Sequence, residues 1–395
     1  MGEKSQICFV THCYPSSKGP LACRFVRNLA QALGRLGCEV SVVTPRIFKK
    51  DPLFETHGSV KVYRHRFFTA NHYLKDYKRV PIFRMLTYFA GAVWRGLGVI
   101  RGDRCVLIHA HWILPSGLIA LILARLTGLP FVVSARGSDV NVYALKSRFL
   151  RGVGRLVLRH AKCIIARSDN LKRETAEIFR LDEGRVHVIR SGVDSTLFRP
   201  LDKRAARATL GMANGKDIIL FVGNLSPIKG VQYLVEALPA VSRKKNDVLC
   251  VLVGEGRMRE PLERRVEELD LRRHVSFVGE QPHEKIPLWM NAADVLVVPS
   301  LTEGVPNVVV EALACHLPVV ATKVGDIPNL ISHMENGLLI DRAEPEGISS
   351  ALNLLLQRDG ELYERIKRGC TTHLPPHSVD FEAERNIAIY QRLLQ

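Results

Sequence analysis

The 395-residue chain contains no CxxC pair, no low-complexity stretch and no short internal repeat, and no long apolar segment follows a basic start at its N-terminus. Each absence excludes something. The opening MGEKSQICFVTHCYP reads as a first buried strand rather than a signal peptide, so the protein is expected to stay in the cytosol. The nine cysteines, an odd number, lie singly, several in apolar runs (Cys8, Cys105, Cys163, Cys250). That argues against a disulfide framework and a zinc site, and for reduced, buried thiols. His109 and His111 stand two residues apart, but no nearby Cys or carboxylate completes a coordination set, so no metal is expected. Gly254-x-Gly256 lacks the third glycine of a dinucleotide fingerprint and reads as a strand-to-helix turn.

What is present is positive charge, unevenly placed. Residues 1–200 hold 33 Lys and Arg against 13 Asp and Glu, whereas residues 201–395 hold 23 against 26. The basic excess belongs to the first half, which is expected to face something anionic. The basic residues come without a nucleic-acid reader motif or an interleaved aromatic platform, so a membrane surface is expected and nucleic acid is not.

Short Val- and Ile-rich runs alternate with helical-period segments. Strands are expected over 6–10, 39–43, 105–110, 131–134 and 163–166, and again over 218–222, 248–253, 275–278, 294–298 and 319–321. Runs buried on both faces and joined by helices are the pattern of parallel βαβ units. The fold class is therefore α/β, two Rossmann-like doubly wound domains in series. A chain of this length exceeds what one core usually organises. The pattern breaks near 198–202, where Pro200 and a cluster of charges stand, so the domains are expected over 1–198 and 199–375.

One segment departs from this rhythm. Ile82, Phe83, Leu86, Phe89, Val93, Trp94 and Leu97 recur at three- and four-residue spacing, with Lys75, Lys78, Arg79, Arg84, Arg95 and Arg101 in or beside them. This predicts an amphipathic helix, too short and too charged to span a bilayer. Its apolar face either packs on the first domain's sheet or docks on an anionic bilayer.

The strongest chemical signal is a pair of glutamates eight residues apart, Glu303 and Glu311, in EGVPNVVVEALACHLPVVAT. Eight residues of helix rise about 12 Å, roughly the distance from the sugar of a nucleotide-sugar to its ribose. A double-displacement glycosidase needs its carboxyls only about 5 to 5.5 Å apart, so this is no such pair. The helix begins near Pro306, and the amides of Asn307, Val308 and Val309 at its N-terminus suit a phosphate. The run GNLSPIKG follows the strand at 218–222, and Lys229 could reach a diphosphate from there or be a solvated lysine at a helix start. In the first half, HAHWILPSG and ARGSDVN follow strands, where ligands of open α/β sheets bind, which makes His109, His111, Arg136 and Asp139 the polar candidates. The loop 14–20, with Gly19, could bring backbone near a phosphate or be a plain connection.

These residues together resemble the retaining, family-four glycosyltransferases of the GT-B fold. The run from Glu303 to Thr322 is similar to the EX7E signature, GVDSTLFRP to the interdomain motif, VGNLSPIKG to the diphosphate loop, and HAHWILPSGLIALILARLTGLPFVVSARGSDVN to the acceptor-domain segment. The resemblance covers nearly the whole chain. It implies two domains facing a cleft, with 376–395 as a helix crossing back to the first domain, and transfer of a hexose or N-acetylhexosamine from a nucleotide-sugar, UDP-linked, to a polysaccharide or lipid-linked acceptor at the cytoplasmic membrane face. No cofactor or metal is implied.

Residue by residue, the resemblance places Lys229, Gly223 and Asn224 at the diphosphate, Glu311 on the ribose and Glu303 on the sugar beside the reacting centre. Pro306, Asn307 and Val308 would meet the phosphate and sugar, and Gly19 would approach the phosphates from the first domain. His111 and Arg136 would lie near the acceptor or sugar. Some positions depart from the family pattern: Asn224 for a common Arg, His316 for a glycine needing φ > 0, Asp326 and Asn329 for Gly and Glu, and Arg136 for a His. Two rival readings follow, a nucleotide-sugar epimerase on the same fold and a binding protein with a decayed site.

Overall fold

The structure is a computed structural model that describes residues 6–16, 23–68, 82–137, 139–140, 147–341, 344–357, 361–372 and 378–395. The chain forms two compact units, Met1–Gly192 with Ser378–Gln395, and Val193–His377. The crossings thus fall after 192 and after 377 rather than after 198 and 375. Burial explains the first difference: Val193 and Phe198, from the segment that reads as a linker, are buried in the second unit's core.

The first unit is built on eight strands: β1 (Gln6–Thr11), β2 (Glu39–Pro45), β3 (Phe54–His57), β4 (Val60–His65), β5 (Leu107–His111), β6 (Phe131–Ser134), β7 (Cys163–Ala166) and β8 (Val186–Val188). Their order is β3-β4-β2-β1-β5-β6-β7-β8, parallel except for the β3–β4 pair. Its helices are α1 (Arg24–Arg35), α2 (Ile82–Gly102), α3 (Leu118–Thr127), α4 (Arg148–His160) and α5 (Asp169–Phe179). Alternate residues of β1 point to opposite faces, as strand geometry requires. Cys8 and Val10 join Tyr88, Ala92, Leu123 and Val157 on one side, and Ile7 and Phe9 join Leu29, Leu33, Ala383 and Tyr390 on the other.

The second unit repeats the plan with β9 (Asp217–Val222), β10 (Val248–Val253), β11 (Val275–Gly279), β12 (Val295–Val298), β13 (Val319–Thr322) and β14 (Gly337–Ile340) in the order β11-β10-β9-β12-β13-β14, all parallel. Its helices are α6 (Lys203–Thr209), α7 (Val231–Ser242), α8 (Arg259–Glu268), α9 (Ile286–Ala292), α10 (Asn307–Ala314), α11 (Ile327–Leu330), α12 (Pro345–Leu355) and α13 (Glu361–Thr372). The last helix, α14 (Val379–Leu394), packs on α1 of the first unit. In each sheet the strand order reverses at one place, between β1 and β5 and between β9 and β12. Ligands of open α/β sheets bind at such places, outside the carboxyl ends of the strands.

Two expectations change. Cys13 and Cys23 are bridged across the loop after β1, while Cys8, Cys38, Cys105, Cys163, Cys250, Cys315 and Cys370 are buried free thiols. The helix α2 is apolar on two sides rather than one. Tyr88, Ala92 and Val99 are buried in the core and Phe89 packs against it, while Phe83, Leu86 and Trp94 face outward, 60%, 63% and 75% exposed. Among the described residues no helix is long and apolar enough to cross a membrane.

Candidate functional site

The carboxyl ends of β9 and β12 carry the two groups that the sequence singles out. After β9 the chain makes one tight turn, Pro227–Lys229, and Gly230 starts α7 with φ of 67°. A side chain on Gly230 would collide with the Pro299 carbonyl, and Leu301 donates its N–H to Ile228 O at 2.9 Å, so the two loops are strapped together. This brings Lys229 Nζ to 2.5 Å from Glu303 Oε1. The hydroxyl of Ser300, itself 1% exposed, donates to the same oxygen at 2.7 Å. The Glu303 side chain is only 9% exposed, and a carboxylate so desolvated requires such partners.

The backbone at Glu303 is fixed from the far side. Gly325, at φ of 57°, lies so close to the Glu303 carbonyl that any side chain there would strike it, and Asp326 N–H donates to Gly304 O at 3.0 Å. Asp326 and Asn329, the departures from the family pattern, bond to each other, Asn329 Nδ2 donating to Asp326 Oδ1 at 2.7 Å. His316 does adopt positive φ, 55°, where a glycine would be unstrained.

Helix α10 starts at Asn307, with Pro306 as its N-cap and no side chain capping the first turn. Asn307 and Val308 are its first two residues. The amide of Val309, expected to be available, donates instead to Pro306 O at 3.1 Å. Glu311 lies in the fifth position of the helix and accepts from His283 Nε2 at 2.9 Å. The His283 ring rests against Phe198, centroids 4.9 Å apart. Gly223 donates to Val253 O at 3.0 Å, Asn224 is exposed beside it, and Gly254 and Gly256 form the turn packed against Gly223 and Leu225.

In the first unit the polar residues gather at the carboxyl ends of β5, β6 and β7. His109 and His111 are fully buried at the end of β5, with ring centroids 4.4 Å apart. His109 meets the Tyr390 hydroxyl through Nδ1 at 2.5 Å and the Ser134 hydroxyl through Nε2 at 2.8 Å. Burial, helped by the charge of Arg136, holds its pKa down at about 3. His111 is likewise held well below the usual range, by burial first and then by His109 and Arg136. Both are neutral at ordinary pH. Arg136 donates from Nη2 to His111 Nδ1 at 2.7 Å, which leaves the ring proton on Nε2. Asp139 accepts from the amides of Ile113 and Arg136 at 2.7 and 3.0 Å and so shapes the ARGSD turn. Arg136 is desolvated and lies near Arg167, and both effects lower its pKa, to about 10.

The structure thus brings Lys229 to Glu303 and Arg136 to His111, and it adds two residues that the sequence does not single out, Ser300 beside Glu303 and His283 beside Glu311. Ser300 stands two residues past the end of β12, and only its contact with Glu303 marks it. A lone histidine in QPHEK carries no pattern. Gly19 lies outside the described residues.

The comparisons with known proteins agree with this architecture. Residues 202–371 match the model for glycosyl transferases group 1, and residues 23–192 match that for a glycosyl transferase 4-like domain. A D-inositol 3-phosphate glycosyltransferase of Catenulispora acidiphila is 30% identical, covering 84% of this chain and 81% of its own. An uncharacterised glycosyltransferase of Methanocaldococcus jannaschii is 29% identical over 98% of both chains. Among solved structures, Anabaena HepE in complex with UDP-glucose superposes with a TM-score of 0.76 at 21% identity, covering 98% of this chain and 99% of its own. With two doubly wound parallel-sheet units, a family model matched in each and a relative at that identity over most of its length, the chain belongs to the family-four type, group 1 glycosyltransferases of the GT-B fold.

Proposed function

We propose that the protein is a retaining hexosyltransferase that moves a hexose or N-acetylhexosamine from a UDP-sugar to a polysaccharide or lipid-linked acceptor at the cytoplasmic face of a membrane. The observation that carries this reading is the cluster at the β9/β12 switch point, where Lys229, Ser300 and Glu303 meet beside the N-terminus of α10. Lys229, with Gly223 and Asn224 beside it, faces the diphosphate. Asn307 and Val308, behind Pro306, offer a helix N-terminus to the phosphate and sugar. Glu311 takes the ribose and Glu303 the sugar. The fold neighbour bound to UDP-glucose supports a donor of this kind.

In this reading the bond from the anomeric carbon to the diphosphate breaks while the bond to the acceptor oxygen forms on the same face and the acceptor's hydroxyl proton passes to the departing diphosphate oxygen, so the configuration is kept. Departure of UDP is eased by Lys229 and the helix N-terminus, dipoles already in place before the reaction. No metal or organic cofactor enters the scheme. His111 and Arg136 serve the acceptor or sugar, and Gly19 the phosphates. Product analysis by NMR with a panel of UDP-sugars tests it: an inverted anomer overturns the retaining assignment, and a sugar altered with no acceptor present favours an epimerase.

The membrane part rests on α2. Its outward residues Phe83, Leu86 and Trp94 are flanked by Arg84, Arg95 and Arg101, an apolar stripe with a basic margin suited to an anionic bilayer surface. Lys75, Lys78 and Arg79, which would extend that margin, lie outside the described residues.

A further inference from the structure

The bridge between Cys13 and Cys23 ties the end of β1 to the start of α1, their Cα atoms 6.0 Å apart. Its two halves are held unequally. Cys13 is 4% exposed, its N–H donates to the Thr11 hydroxyl at 3.3 Å, and its carbonyl accepts from that hydroxyl at 2.8 Å. Cys23 is half-buried and, as the N-cap of α1, has φ of 61°, a left-handed conformation uncommon for a residue with a side chain. The bridge keeps it there.

Its surroundings are those of a bond that opens. Seven further cysteines are buried free thiols, so no disulfide framework surrounds it. Solvent reaches the Cys23 side, and exposed bridges are the labile, regulatory ones. A thiolate released at Cys23 faces the N-terminus of α1, whose first turn carries no acidic residue and no side-chain cap. Helix N-termini favour negative charge and so suit a reactive cysteine.

Opening would loosen a stack of rings. Cys13, Phe25 and Trp112 share one core, and Phe25, two residues on from Cys23, lies 5.6 Å from the Trp112 ring. The Arg136 guanidinium lies 4.7 Å from the centre of the Phe25 ring and donates to His111 at 2.7 Å. The first turn of α1 thus supports the Arg136–His111 pair.

We infer that Cys13 and Cys23 form a reversible thiol–disulfide switch, whose closed form holds Phe25 against Arg136 and whose open form releases it. Cys23 and Phe25 act here as positioning residues. Opening consumes two small thiols. The thiolate of the first attacks Cys23 Sγ, the S–S bond breaks, and Cys13 leaves and takes up a proton. The second attacks the mixed disulfide, so that Cys23 leaves and takes up a proton while the two small thiols depart joined as a disulfide, oxidised by two electrons. The consequence for turnover rests on the proposed function, which gives Arg136 and His111 to the acceptor or sugar; the opening itself does not.

The test equilibrates the full-length protein across mixtures of reduced and oxidised glutathione, alkylates it in denaturant and weighs it intact. A single step from seven to nine alkylated thiols is expected, absent in Cys13→Ala and in Cys23→Ala. Tryptophan fluorescence should change over the same step in the wild type and not in Trp112→Phe. Turnover of the UDP-sugar that the product panel selects should fall several-fold in the open form with UDP affinity unchanged, and Cys23→Ala should show the low value at every ratio. If Cys23→Ala does not fold, Cys13→Ala carries the same weight. Seven or nine thiols throughout the series overturn the switch, and so does a step that leaves the fluorescence unmoved. A fluorescence step with turnover unaltered removes Arg136 and His111 from its reach and overturns the coupling. No turnover in either form counts against the proposed function and leaves the thiol and fluorescence readings to decide the switch.

Discussion

Lys229 Nζ and Glu303 Oε1 stand 2.5 Å apart, a salt bridge between the residue that the family resemblance assigns to the donor's diphosphate and the one it assigns to the sugar. Each holds the other while the site waits, since Glu303 is nearly buried and Lys229 is 31% exposed. A donor that engages both must replace this contact with its own.

Removing the lysine should therefore act twice. In Lys229→Ala, UDP affinity is expected to fall about 10- to 100-fold, the worth of a hydrogen bond to a charged group at about 1.5–3 kcal/mol. Glu303→Gln keeps the shape and should lower kcat far more than it raises KM. Calorimetric titration with UDP and steady-state rates check both. Turnover that survives both changes intact would refute the assigned roles.

His283 orients Glu311 through a 2.9 Å hydrogen bond. His283→Ala is expected to weaken UDP binding by several-fold, about 1 kcal/mol for a lost hydrogen bond, and to leave kcat at saturating donor nearly unchanged. His283→Gln, which can still donate, should recover part of the loss. Equal effects on kcat and KM would assign His283 a different role.

Acid should unsettle the first unit before the second. His65 and His109 have pKa values held at about 3 by burial, against about 6.5 when unfolded. The unfolded chain therefore binds these protons first, so the stability they contribute is complete above pH 6.5 and is lost as pH falls toward 3. Each such histidine removes about 1.4 kcal/mol per pH unit across that window. Calorimetry between pH 7 and 4.5 should show one transition moving down well ahead of the other. If both transitions move together, or neither moves, the assignment of these histidines is wrong.

Docking through α2 predicts that Leu86→Asp with Trp94→Asp abolishes co-sedimentation with anionic vesicles at low salt and leaves the Tm within about 2 °C, since both side chains face outward. Phe89→Asp should instead lower stability, because Phe89 packs against the core. Undiminished vesicle binding by the double variant would sink the docking proposal.

All ten expected strands are present, because each is a short apolar run that stands out from its surroundings: nine are almost wholly buried, and only the edge strand β11 is mostly half-buried. The four missed strands give weaker signals. β3 is a half-exposed edge, β4 alternates as VKVYRH, β8 has three residues and β14 reads only GLLI. Phe198 shows why the boundary was misplaced: beside Pro200 it looks like punctuation, yet it is one of the second unit's largest buried side chains. At the site, Lys229 and Glu303 were legible because strand ends and a helix start frame them. Ser300 and His283 matter through what they touch, and contact is not a property of local sequence. The Cys13–Cys23 pairing was hidden for the same reason.

The return of α14 reverses the order in which the two units can be finished. The Tyr390 hydroxyl that meets His109 arrives 281 residues after it, and Val379 and Ala383 complete the same core. During synthesis the second unit, continuous from 193 to 377, can close while the first still lacks its outer helix. A second unit already folded then shortens the effective loop whose ends must be brought together, which lowers the entropy cost of that closure. A nascent chain stalled near 377 would hold a finished second unit and an open first one, with the Nδ1 of His109 short of the partner it has in the native state.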